Sequence, residues 1–86
     1  SPAVDSVIIQ FARKNNDASN EEIRDFFELV RACFKQRRKT IYNNLKEYVD
    51  DGTSTTEILE KANIPANKRA QELTIDELKQ IHEVMK

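Results

Sequence analysis

Few residues in this 86-residue chain have types and spacing that suggest chemistry, and they are unevenly placed. The stretch FKQRRKTIYNNL, residues 34–45, puts Lys35, Arg37, Arg38 and Lys39 within five positions, interrupted only by Gln36. Ammonium and guanidinium groups bind phosphate oxygens, Arg through paired N–H donors. Asn43 and Asn44 follow, with amides that suit 2′-hydroxyls or base edges in a shallow groove. Such a block serves a polyanionic backbone such as RNA, or it is a solvated run that balances acidic neighbours. On a helix, Arg37, Arg38 and Lys39 could not all face one groove, so some are expected to pair with nearby carboxylates.

Signals for catalysis are sparse. Gly52 is the only glycine, which leaves no glycine-rich loop for a nucleotide. His82 is the only histidine and has no second histidine or nearby cysteine to share a metal, so a structural role is expected. Cys33 lies in an apolar helical stretch and reads as a reduced, buried thiol; a Cys33–His82 nucleophile–base pair has only their presence to support it. Asp50 and Asp51 stand beside a turn and are read as ending a helix. No catalytic, cofactor-binding or metal-binding residue is expected.

The net charge of −1 conceals strong segregation. Residues 15–30 carry −4, residues 31–46 carry +6 without a single acid, and residues 47–60 carry −5. A polyanion responds to the local potential, so the middle block matters more than the overall balance. Hydrophobic content of 38% and charged content of 34% suit one small folded domain rather than disorder. No apolar run approaches the roughly 20 residues of a membrane span, so no membrane is expected as a partner.

The elements that must position these residues are mostly helices. AVDSVIIQFAR is rich in β-branched residues and reads as a strand, with Val7, Ile9 and Phe11 on one face. A strand apolar on both faces belongs inside a sheet, yet no second strand is evident, so this one is expected to be orphaned from a missing sheet. Ser19 with Glu22 forms a capping-box pattern before a stripe of Ile23, Phe26, Phe27, Val30, Cys33 and Phe34. The stripe continues through Ile41, Leu45 and Tyr48. A single helix from 20 to 48 would be about 43 Å long, so a break near Lys35–Gln36 is preferred. DDGTST is a turn, with Ser54 or Thr53 capping the next helix, and Asn63 suits a left-handed helix end. Pro65 begins a short helical turn, and Thr74 with Glu77 caps the last helix. The expected fold is all-α: about five short helices in a small bundle, preceded by the orphan strand.

FFELVRACFKQRRKTIYNNL resembles the start of the C-terminal domain of bacterial ribosomal RNA small-subunit adenine dimethyltransferases, the KsgA family. The family pattern there is roughly F-x-x-L-V-R-A-A-F-x-Q-R-R-K-T-L-x-N-N-L. Phe26 or Phe27, Leu29, Val30, Arg31, Ala32, Phe34, Gln36, Arg37, Arg38, Lys39, Thr40, Asn43, Asn44 and Leu45 fall on it. VDSVIIQF resembles the closing strand of the family's catalytic sheet. LEKANIPANKRAQELTIDELKQI is similar to the family's later helices through Leu59, Ala62, Ile64, Arg69, Ala70, Leu73 and Glu77. Departures include Lys35 where Ser or Asn is usual, which weakens the expected cap there, Asn63 in place of Gly, and Leu78 in place of Phe.

The resemblance implies a division of labour. The family transfers two methyl groups from S-adenosylmethionine to N6 of each of two adjacent adenosines near the 3′ end of small-subunit rRNA. Chemistry and cofactor belong to an N-terminal Rossmann-like domain, whose motifs are not in these residues. Residues 1–14 would then be the terminal strand of that missing domain, and 15–86 a helical domain that recognises rRNA. Alone it should be inactive and bind no cofactor. Its implied partners are small-subunit rRNA, the immature small ribosomal subunit and the missing catalytic domain, in the cytoplasm. Arg37, Arg38 and Lys39 become the expected RNA contacts, with Lys35 and Lys46 supporting and Asn43 beside them. The alternative is a helical interdomain or protein-interaction module, in which QRRKT anchors the domain and touches no RNA.

Overall fold

The structure, a computed structural model, describes residues 2–86, with side chains from residue 4 onward. Five α-helices follow in order: α1 (Pro2–Lys14), α2 (Asn20–Cys33), α3 (Ile41–Val49), α4 (Gly52–Lys61) and α5 (Ile75–Met85). A single 3-10 turn, Ala70–Glu72, precedes α5. The all-α bundle expected from the periodicity is present.

The first element departs from expectation. The segment read as an orphan strand is a helix, and the described residues contain no strand at all. Val4, Val7, Ile8 and Phe11 recur at helical spacing as well as supplying β-branched residues, so the pattern supports either form. A helix satisfies its backbone internally, whereas a lone strand leaves both edges unpaired. Packing completes the choice. Phe11 is 2% exposed and stacks on Phe26 of α2, ring centroids 4.0 Å apart and planes 17° apart. Ile9 faces away and remains exposed.

The break between α2 and α3 is real and longer than expected, running from Phe34 to Thr40. The molecule measures 32 Å along its greatest dimension, so one continuous 43 Å helix would overhang its own core. Phe26, Leu29, Val30 and Cys33 of α2 are buried, while Phe27 lies round the helix from them and is exposed, with the Arg31 guanidinium over its ring at 5.7 Å. Leu45, Ile41, Leu59, Leu78 and Ile81 close the core from the other helices.

Local capping explains where each helix starts and stops. Ser19 Oγ accepts from the Glu22 amide at 3.1 Å, but Glu22 does not complete the box. Its carboxylate instead takes Lys86 at the end of α5, and that bond holds the Glu22 carboxyl below its usual range. Asp50 ends α3 in the left-handed conformation, φ 63°, and Asp51 caps α4 in place of the expected Ser54 or Thr53. Asp51 accepts from the Ser54 hydroxyl at 2.7 Å and the Thr53 amide at 3.1 Å, and both bonds keep its carboxyl ionised at lower pH than usual. A carboxylate outcompetes a hydroxyl for this place because it accepts twice and suits the positive helix end. Asn63 ends α4 at φ 61°, and Thr74 with Glu77 forms the full reciprocal box, at 3.1 and 2.9 Å, as expected.

Candidate nucleic-acid interface

The basic block does not lie on a helix. Lys35 to Lys39 sit in the connection between α2 and α3. The Lys39 amide donates to the Gln36 carbonyl at 3.0 Å, closing a turn with Arg37 and Arg38 as its two central residues. That turn is pinned from beneath by Asn44, which is 3% exposed. Asn44 Oδ1 accepts from the Gln36 amide at 3.2 Å, and Asn44 Nδ2 donates to the Gln36 carbonyl at 3.0 Å. One buried amide thus satisfies both backbone groups of the residue that precedes the two arginines.

Arg37, Arg38 and Lys39 are exposed, and none makes an ion pair among the described residues. The expectation that some would pair with acidic neighbours applies instead to Lys35, whose Nζ lies 3.0 Å from Glu47 of α3. That contact, first as a hydrogen bond and then as charge, holds the Glu47 carboxyl below its ordinary range. Both partners are exposed, so the pair adds little to stability. Asn43 and Lys46 line a depression with Glu47, Asp50 and Asp51. The structure therefore leaves three of the six candidate residues without an ion pair among the described residues, pairs a fourth with Glu47 and places two beside carboxylates.

Two further cations come from far along the chain. The Ile41 amide donates to the Lys68 carbonyl and the Tyr42 amide to the Ala66 carbonyl, so the loop before the 3-10 turn lies across the N-terminus of α3. This brings the Lys68 and Arg69 backbone to the edge that carries Lys39. No local pattern signals it, because the bonds join α3 to a loop on the far side of α4 in the sequence. The same bonds, with Thr40 Oγ1 accepting from the Asn43 amide at 3.3 Å, use up the free amides of that helix start. A phosphate at this edge would meet side chains rather than a helix terminus.

The other reactive side chains are structural. Cys33 is fully buried, and burial pushes its thiol up to about 12, so it stays protonated. His82 is 6% exposed and presents its ring edge-on to Phe11 and Phe26, at centroid distances of 6.2 and 5.5 Å. Its Nε2 has no hydrogen-bond partner. Burial first, and the Lys86 charge second, lower its pKa from 6.5, against weaker opposition from Glu83, Glu22 and Asp25. The folded state thus disfavours the proton that the unfolded chain accepts. Stability is full above about 6.5 and declines as pH falls below it, until the folded ring itself titrates. Melting temperature should therefore drop as pH is lowered from 6.5 toward the carboxylate range. His82→Leu should flatten that slope, while the loss tied to Glu22, whose ordinary value is 4.5, should remain at lower pH.

Fold and site together define a small all-α domain whose distinctive feature is a pinned cationic turn. The chain belongs to the ribosomal RNA adenine dimethylase family, whose model matches residues 1–86. It is 36% identical, across 99% of its length, to proteins named ribosomal RNA small subunit methyltransferase A from Staphylococcus aureus strains JH9 and Newman. The matched region is 30% of those relatives, so the chain spans about a third of their length. No solved structure matches the chain. No helix among the described residues is long and apolar enough to cross a membrane.

Proposed function

We propose that this chain is the rRNA-recognition domain of an S-adenosylmethionine-dependent methyltransferase that dimethylates N6 of two adjacent adenosines near the 3′ end of small-subunit rRNA. Its partners are small-subunit rRNA, the immature small subunit and a catalytic domain outside this chain, in the cytoplasm. The observation that carries the reading is the turn at Gln36–Lys39, where three exposed cations make no ion pair among the described residues, on a backbone that Asn44 bonds at Gln36. Unpaired, preorganised cations suit a phosphate backbone, because little ordering remains to be done on binding. Family membership supplies the polyanion: the relatives are named for ribosomal RNA. We place S-adenosylmethionine outside this chain. Residues 1–14, of which Pro2–Lys14 are helical, we assign to the boundary with the catalytic domain, and 15–86 to recognition.

The test is a salt titration of binding to a small-subunit rRNA transcript. Each phosphate contact contributes to the slope of log affinity against log salt. Arg37→Gln, Arg38→Gln and Lys39→Gln together should weaken binding and lower that slope by about 2 to 3. The circular dichroism spectrum should not change, because the replaced side chains are exposed. Unchanged affinity and slope would instead favour an interdomain or protein-binding role for the turn.

A further inference from the structure

We propose that the groove between α2 and α3 seats an unpaired RNA base against the ring of Tyr48, beside the phosphates gripped by the Gln36–Lys39 turn. The proposal rests on the RNA-recognition reading and names the form of RNA that is taken. Three large apolar side chains are prominently exposed among the described residues, and two are aromatic: Phe27 at 38% and Tyr48 at 42%. Both flank Arg31. Arg31 covers the Phe27 ring, and it shares with Tyr48, Glu28 and Lys35 an open depression of about 350 Å³. A second depression continues from Tyr48 past Lys35 and Glu47 to Asn44, the residue that pins the cationic turn. The two depressions share Ala32, Lys35 and Tyr48, and the second reaches Asn44 at the base of the turn.

Charge separates the two halves of this surface. Within the groove, Arg31 and Lys35 are balanced by Glu28 and Glu47, and Lys35 is paired with Glu47. At the turn, Arg37, Arg38 and Lys39 make no ion pair among the described residues, and only Lys39 acts on a nearby carboxylate, that of Glu47. Phosphates go where cations are unpaired. A neutral base with a flat apolar face and donor and acceptor edges fits a groove that carries no excess of cations and has an aromatic wall. Burial, with Glu28 and Asp25 close by, pushes the Tyr48 hydroxyl pKa upward, so the side chain stays neutral and offers the base its ring face. A base paired in a duplex cannot present its face to Tyr48, so the site selects single-stranded or looped-out RNA.

The chain contains no tryptophan, so Tyr48→Trp provides a single fluorescent reporter in the groove. Short oligoadenylate should quench it, and a blunt, fully paired RNA duplex should not. Tyr48→Ala and Tyr48→Leu should weaken oligoadenylate binding about tenfold, the size of one lost base–aromatic stack. Duplex binding should stay as it was, and Tyr48→Phe should retain wild-type affinity. Tyr48→Leu keeps apolar bulk, so the test survives if the alanine variant folds poorly. Salt-dependent RNA binding that is indifferent to Tyr48→Leu overturns the stacking site and leaves the recognition reading intact. Failure of both RNAs to bind at low salt overturns both. Quenching by an oligolysine peptide but not by oligoadenylate would assign the groove to a basic protein instead.

Discussion

Phe26→Ala should cost about 3–5 kcal/mol and leave the chain largely unfolded under conditions where the parent is folded. Phe26 is 0% exposed and lies where three helices meet: stacked on Phe11 of α1 and edge-on to His82 of α5. Truncation removes the transfer energy of the ring and leaves a cavity that the rings on either side cannot fill without shifting two helices. A domain of this size has roughly 4–13 kcal/mol in total, so the loss is a large share of it. Thermal melts followed by far-UV circular dichroism should show a midpoint lower by at least about 15 °C, or no cooperative transition. Phe27→Ala, one residue on, should cost under about 1 kcal/mol, because that ring is on the surface. Equal losses at the two positions would mean that α1 and α5 do not pack on Phe26 as described.

Asn44→Leu should be the most damaging single change for the candidate interface, although it removes no charge. The substitution strands the amide of Gln36, which donates to the Asn44 side chain, and leaves the Gln36 carbonyl only its bond from the Lys39 amide. A buried group left unpaired costs about 1–3 kcal/mol, so the turn should open to water rather than stay in place. Arg37 and Arg38 then lose their fixed positions. Amide exchange at Gln36 should accelerate, and affinity for small-subunit rRNA should fall several-fold. The salt slope should remain near that of the parent, because the cations are still present. This separates loss of positioning from loss of charge, which lowers the slope. Asn43→Ala makes the contrast: its side chain is exposed, and stability should change by less than about 0.5 kcal/mol. Wild-type exchange and affinity in Asn44→Leu would show that the turn holds itself.

These two asparagines show how far the sequence could be read. Asn43 and Asn44 are adjacent and chemically identical, and the reading gave RNA-facing roles to both. The structure buries Asn44 and turns it into a scaffold, because Leu45 and Ile41 fix which face of α3 meets the core. Which charge finds which partner was equally hidden. Lys35 reaches Glu47 one element later, and the Lys68 carbonyl returns to the start of α3 across α4. These contacts depend on how helices cross, which no window of sequence encodes. The N-terminal segment failed for a related reason. Val4, Val7, Ile8 and Phe11 satisfy both periodicities, and only the Phe26 ring beneath them favours the helix.

By itself the sequence determined the number and approximate limits of the later helices, the caps at Ser19, Asn63 and Thr74, the concentration of cations between residues 35 and 39, and the family. All of these are local or additive properties, set by neighbours a few residues away or by pattern matching along the chain. Only the tertiary structure decided that the first segment is helical, that Asn44 pins the turn, that Arg37, Arg38 and Lys39 stand unpaired while Lys35 does not, and that Tyr48 opens onto the same groove. The physical reason is the same in each case. Burial and pairing energies belong to contacts between elements, and those contacts exist only once the helices have packed.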